Sequence, residues 1–171
     1  MAIDPEPVPT FHLRPARADE AKLIRQRILR ERLDPTRLDW RKFVMAEVTG
    51  GADRGAILGF AQMKRLGGDV REFGSLVVEA DQRRHGVGGA LIRYFIQEFP
   101  KPIYLVCESR RVRYYTKFGF RVMDDPKIMP AGLRTKWRLG RLVGKLFGFR
   151  IEAMIYDGSF LPFKAPLQKA F

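Results

Sequence analysis

The stretch SLVVEADQRRHGVGGALIRYF constrains this chain more than any other. Its apolar, β-branched run reads as a strand ending near Val78. Two arginines and a histidine then lead into Gly86, Gly88 and Gly89, and apolar residues recur at helical spacing from about Val87 to Phe99, where Pro100 stops the helix. Glycine is among the poorest helix formers, so three glycines in the first turn need a reason outside the helix. The first N–H groups of a helix have no carbonyl to bond and carry partial positive charge. Glycines let a bulky anion approach those groups and permit positive φ in the turn, and neighbouring arginines add charge-assisted bonds. The pattern Arg83, Arg84, His85, Gly86, Val87, Gly88, Gly89 therefore predicts a diphosphate seated on a helix start.

Two familiar phosphate loops are excluded. No segment fits GxxxxGK[ST], and Gly86-Val87-Gly88 is followed by Leu91 where a dinucleotide fingerprint requires its third glycine. No alternating strand–helix repeat precedes the turn either. Around it we read a strand at Phe11–Pro15, a helix capped by Asp19 running to about Arg32, and a short helix at Leu38–Lys42. FVMAEV and AILGFAQMKRL flank the turn-rich TGGADRG as a hairpin, and VREFGSLVV adds a third strand. After the glycine helix come a strand at IYLVC, a helix from Arg110 to Phe118, a strand at FRVM and a last strand at IEAMIYDG. This order predicts an α/β fold: a three-layer α/β/α sandwich around a mixed, mostly antiparallel central sheet. One domain over 11–171 is expected, preceded by a disordered, proline-rich lead at 1–10. The tail LPFKAPLQKAF reads as loose.

With 32 Lys and Arg against 19 Asp and Glu, the net charge of +13 favours anionic partners without choosing among nucleotide, nucleic acid and membrane surface. Cys107 is the only cysteine, so an internal disulfide is impossible and a reducing, cytoplasmic setting is expected. Its place in the apolar IYLVC predicts a buried, inert thiol. No His/Cys/Asp grouping has metal-ligand spacing, so no metal is expected, and no Gly-x-Ser-x-Gly elbow or Ser-His-Asp set suggests a hydrolase.

LVVEADQRRHGVGGALI resembles the acetyl-CoA-binding signature of the GNAT superfamily of N-acetyltransferases, with Val78 at the strand end and Arg83, Gly86 and Gly88 in the turn. RYYTKFGF resembles the family's second signature through Tyr114, Tyr115, Gly119 and Phe120. The resemblance implies acetyl-CoA as co-substrate and a primary amine, in a small molecule or a peptide, as acceptor. It also implies that main-chain groups of Leu76, Val77 and Val78 pair with the pantetheine arm, and that N–H groups from Arg84 to Gly89 hold the pyrophosphate. Glu72 stands where some members carry a carboxylate base, and Tyr115 where they carry a general acid. Adjacent helical residues point about 100° apart, so Tyr114 and Tyr115 cannot share that role. Strict alternation would place Glu72 on one face with Gly74, Leu76 and Val78, and a bulge at Gly74-Ser75 would upset it. The alternative for Glu72 is a solvated carboxylate paired with an arginine. The chain departs from the family at Glu108, where an asparagine is frequent. Homodimers are common in the family. A non-catalytic module of the same fold, binding CoA or docking on nucleic acid, is the competing reading.

Residues 124–149 interrupt the strand pattern. Leu139, Leu142, Val143, Leu146 and Phe147 recur at helical spacing, and Arg134, Lys136, Arg138, Arg141 and Lys145 add cations without a carboxylate. Gly140 and Gly144 each weaken a helix by roughly 1 kcal/mol relative to alanine, which predicts a marginal, mobile helix. Three roles are open: a lid that recognises an acidic acceptor, a helix lying on anionic lipid or nucleic acid, or a packed helix with a solvated basic face.

Overall fold

A computed structural model describes residues 10–159. The proline-rich lead and the LPFKAPLQKAF tail lie outside the described residues. Strands β1 (Phe11–Pro15), β2 (Phe43–Val48), β3 (Ile57–Arg65), β4 (Arg71–Val78), β5 (Ile103–Glu108), β6 (Arg121–Val122) and β7 (Ile151–Tyr156) form one sheet in the order β1-β2-β3-β4-β5-β7-β6. The helices are α1 (Ala21–Arg30), α2 (Val87–Glu98), α3 (Val112–Thr116) and α4 (Ala131–Phe147). The sheet is mixed: β1–β2, β5–β7 and β6–β7 run antiparallel, while β4 and β5 pair in parallel through Arg71–Ile103 and Glu72–Tyr104. This is the helix-flanked, mostly antiparallel sheet that the sequence predicts.

Contacts divide the chain into two compact units. Of the described residues, one contains 10–61 together with Ser75–Leu91, the other Gln62–Gly74 together with 92–159. In the first, α1 buries Ile24 and Ile28 against Phe43, Met45, Phe60 and Val77. The β2–β3 hairpin closes through Gly55 N–H to Val48 O and Val48 N–H to Ala56 O, both 2.9 Å. In the second unit Tyr104, Met123, Met129, Leu133, Trp137 and Ala153 form a core beneath α4.

Three expectations change. Asp19 does not cap α1, which is preceded by a 3-10 turn at Ala18–Glu20. Glu20 accepts the Arg17 N–H at 2.7 Å instead, held in place by the Arg14 guanidinium at 2.9 Å. The helix read from Arg110 is a 3-10 turn at Ser109–Arg111 followed by the five-residue α3, and the FRVM strand shortens to Arg121–Val122.

The largest difference is α4. Its glycines are sites of close approach. A Cβ on Gly132 would stand 2.2 Å from the Leu66 carbonyl oxygen, one on Gly144 2.4 Å from that of Phe149, and one on Gly140 3.2 Å from the Ile151 side chain. The helix gives up intrinsic propensity to lie closer to β7 and the β3–β4 hairpin than any side chain would permit. The seam it buries is Leu133, Trp137 and Gly144, whereas the stripe of Leu139, Leu142, Val143, Leu146 and Phe147 faces solvent. Among the described residues no helix is long and apolar enough to cross a membrane.

Candidate active site

The glycine turn belongs to the first unit. β4 ends at Val78, a 3-10 turn covers Ala80–Gln82, and Arg84 and Gly86 then both take left-handed backbone, with φ of 72° and 84°. A Cβ at Gly86 would touch nothing within 4 Å. Packing therefore does not require glycine there; the conformation does, and the space before it stays open. The first bond of α2 runs from Ala90 N–H to Gly86 O at 2.9 Å. The N–H groups of Val87, Gly88 and Gly89 precede it and have no carbonyl within the helix to bond. Left-handed residues close together tilt main-chain N–H groups into an anion-binding concavity. Residues Arg83 to Gly86 are exposed, while Val87, Gly88 and Gly89 are buried. The arrangement suits a diphosphate bound by backbone.

Arg83 has a task the sequence does not reveal. Its Nε donates to Val78 O at 3.2 Å and its terminal nitrogen meets Glu31 at 3.0 Å, so it straps the turn to the end of β4 and to the residue after α1. Glu79 is gripped beside it by Arg27 at 2.7 Å and Arg30 at 2.9 Å. Arg84 and His85 are the other exposed side chains of the turn. Nothing local in the sequence links α1 to residue 79 or 83, about fifty positions later.

Glu72 and Tyr115 lie in the second unit. Glu72 is 1% exposed and receives both contacts of the Lys136 ammonium, 2.7 Å to one carboxylate oxygen and 2.8 Å to the other. The expected alternative of a solvated carboxylate beside an arginine is thereby corrected: the group is buried, and its partner is a lysine on α4. Lys64 on β3 is also buried, with its Cε 3.9 Å from a Cβ position on Gly74. Next to Lys136, the indole N–H of Trp137 is buried without a hydrogen-bond partner, and the Arg141 guanidinium lies 4.7 Å over its ring. Ser75 takes φ of 53°, so the simple alternation from Glu72 to Val78 is interrupted there.

Tyr115 is buried among Phe73, Phe120 and Tyr114, with ring centroids at 6.4, 6.1 and 5.4 Å. Burial raises its phenol well above the ordinary value, so the hydroxyl keeps its proton. Tyr114 turns outward over Phe118, as the 100° separation requires. Phe73 shares its face of β4 with Tyr115 and Phe95. Glu72, one residue earlier, points to the face covered by α4. Cys107 is buried, its thiol pushed up to about 12 by burial, with Sγ 3.9 Å from Met154 Sδ. That is an inert sulfur, as expected. Glu108 is engaged by Arg110. Among the described residues no group of three His, Cys, Asp or Glu is placed to hold a metal ion.

The family model described as "Acetyltransferase (GNAT) domain" matches residues 39–122, which include the strand, the glycine turn and the Tyr114-Tyr115 helix. The match spans 84 of the 171 residues, so over that segment the chain is similar to GNAT acetyltransferase domains, and its fold agrees with theirs. N-acetylglutamate synthase from Neisseria gonorrhoeae, solved with coenzyme A and N-acetyl-glutamate, aligns at a TM-score of 0.68 and 17% identity over 86% of this chain and 35% of its own. This chain thus spans about a third of that enzyme. A Mycobacterium tuberculosis protein solved in complex with CoA aligns at 0.66 and 16% identity, over 85% of this chain and 98% of its own. NAA60 from Arabidopsis thaliana, in complex with a bisubstrate analogue, aligns at 0.57 and 17% over 86% and 98%. No curated protein matches the chain in sequence.

Proposed function

We propose that this protein moves the acetyl group of acetyl-CoA directly to a primary amine. The observation that carries the reading is the left-handed, open turn at Arg84 and Gly86 in front of three N–H groups at the start of α2. Neighbouring folds solved with CoA support it. In this reading the N–H groups from Arg84 to Gly89 hold the pyrophosphate, and main-chain groups of Leu76, Val77 and Val78 meet the pantetheine arm.

The family resemblance supports Glu72, held by Lys136, as the base and Tyr115, packed against Phe73, as the acid. Glu72 takes a proton from the amine as its nitrogen attacks the carbonyl carbon. A main-chain N–H near Ser75 or Leu76 stabilises the carbonyl oxygen as it gains charge. The carbon–sulfur bond breaks, and the thiolate takes the Tyr115 hydroxyl proton. The products are an N-acetyl amide and free CoA; exchange with solvent returns a proton to Tyr115 and removes one from Glu72. An acceptor that arrives as an ammonium, near pKa 10.4 for a lysine-type amine, must first lose its extra proton to water.

Lys136 qualifies this scheme. The Lys136 ammonium occupies both carboxylate oxygens of Glu72, so the acceptor nitrogen has to displace Lys136 to reach them. That contact favours a second reading, a CoA-binding module without turnover. The Lys136 ammonium beside the buried Glu72 carboxylate supports an acceptor that carries an acid group of its own.

The test measures thiol release from acetyl-CoA with a panel contrasting glutamate-like amines, peptide N-termini and polyamines. Tyr115→Phe and Glu72→Gln are each expected to lower kcat by about 10²- to 10⁴-fold, the usual worth of a positioned acid or base. Because burial raises the Tyr115 phenol, no loss of activity through its ionisation is expected up to about pH 10. Turnover that neither substitution slows would discard both assignments. Acetyl-CoA raising the melting temperature while no amine releases thiol would establish the second reading.

A further inference from the structure

Besides Lys136, helix α4 presents three stripes, and the mechanism uses none of them. Leu133, Trp137, Gly140 and Gly144, spaced 4, 3 and 4 apart, face the core or approach its side chains. Arg134, Arg138, Arg141 and Lys145 each follow a member of that row by one residue, which puts the cations about 100° round the helix. The remaining face is Leu139, Leu142, Val143, Leu146 and Phe147, spaced i, i+3, i+4, i+7, i+8. Leu139 is 62% exposed, Leu142 60%, Leu146 76% and Phe147 75%. With Val143, these make up five of the eight large exposed hydrophobic residues among those described. A contiguous exposed patch of this kind marks an interaction surface rather than ordinary scatter.

Charge identifies what covers it. Between Asp125 and Glu152 the chain has seven Lys and Arg and no carboxylate. Beside the stripe lies an open cleft of about 440 Å³ lined by Arg141, Leu142, Lys145, Phe149, Arg150 and Ile151, three cations set among three apolar side chains. A second copy of this chain would bring its own cations against these. Nucleic acid would satisfy the charge and leave the leucines wet. An anionic bilayer surface supplies both phases at once, phosphates at the depth of the arginines and acyl chains at the depth of the leucines.

We propose that α4 docks this protein on anionic phospholipid. Leu139, Leu142, Leu146 and Phe147 enter the acyl boundary, and the cleft between Arg141, Lys145 and Arg150 takes a headgroup phosphate. The inference is independent of acetyl transfer, because every residue it uses lies outside the residues assigned to chemistry.

Sedimentation with sucrose-loaded vesicles tests it on the full chain. Vesicles with 30% phosphatidylglycerol are expected to bind at least tenfold more protein than neutral phosphatidylcholine ones. Leu146→Ser with Phe147→Ser should lower the partition more than tenfold on the anionic vesicles. Arg141→Gln with Arg150→Gln should lower it by a similar factor and flatten its salt dependence. These positions are exposed, so melting temperature and acetyl-CoA binding should stay at wild-type values and show that the variants fold. Equal binding to neutral and anionic vesicles, or binding that the Leu146 and Phe147 changes leave intact, would overturn the proposal. So would concentration-dependent dimers abolished by those changes, which would assign the face to a second copy. A duplex oligonucleotide bound tightly without vesicle binding would assign the cations to nucleic acid.

Discussion

Helices α2 and α4 both carry glycines where a helix gains nothing from them, and the two sets answer to different physics. In α2 they stand at the start. Gly86 is needed for φ of 84°, with open space where its Cβ would be. In α4 they stand within the helix, and two of them leave under 2.5 Å between a Cβ and a carbonyl oxygen of the neighbouring backbone. The first kind keeps room for something outside the protein; the second lets the protein touch itself. Substitution should separate them, since filling an α2 glycine costs binding while filling an α4 glycine costs folding.

The strongest challenge to this contrast concerns what α4 is packed for. If the helix holds Lys136 on a buried carboxylate, Lys136→Met should destabilise by about 3–5 kcal/mol, because it leaves the buried Glu72 carboxyl without its ammonium. Adding Glu72→Gln to that variant should recover most of the loss, and urea melts of both single variants and the double variant measure the coupling. A loss that Glu72→Gln does not repair would mean that Lys136 acts through packing.

Next in size is Gly132→Ala. Its Cβ would meet the Leu66 carbonyl, a backbone atom with no rotamer to escape into. About 1–3 kcal/mol of stability should go, the usual cost of overpacking, with acetyl-CoA affinity per folded molecule unchanged. Gly86→Ala should reverse the pattern. A left-handed alanine costs roughly 1 kcal/mol, and a methyl group before the anion site should weaken acetyl-CoA binding by about tenfold, or 1.4 kcal/mol. Calorimetric titration and thermal melts on the pair give the four numbers. If both variants lose stability alike and bind alike, the distinction between the two helices fails.

The contrast also shows how much was legible in advance. The turn could be read because cause and effect are local: strand, cations, glycines and helix follow one another within twenty residues, and the need for positive φ is written in residue type. Tyr115 was legible for the same reason, as one of an adjacent pair that a helix must split. Alpha-4 was legible as a helix and misleading as a surface. The spacing of Leu139, Leu142, Val143, Leu146 and Phe147 marks an apolar face, but which face a helix buries depends on its neighbours. Here Gly132, Gly140 and Gly144 decide it by allowing contact that leucines would block. The Lys136–Glu72 pair and the Arg27, Arg30 and Glu31 contacts join residues about fifty or more positions apart, and one sequence contains no signal for them.

Arg83 and Arg84 offer the smallest effect and the sharpest test of local reading, because the sequence treats them alike. Both sit in the turn and both suit a phosphate. The structure ties Arg83 to Val78 O and Glu31, and leaves Arg84 exposed with φ of 72°. Arg83→Ala should therefore cost about 0.2–1 kcal/mol of stability, the range of an exposed ion pair, with a modest change in CoA affinity. Arg84→Gly should relieve the left-handed backbone and stabilise by a few tenths of a kcal/mol, since glycine adopts that region freely. It should also reduce the salt dependence of CoA binding by removing a cation from the turn. If Arg83→Ala instead carries the larger loss of affinity and salt sensitivity, then its guanidinium leaves Glu31 when the ligand arrives, and the strap is one half of a binding site.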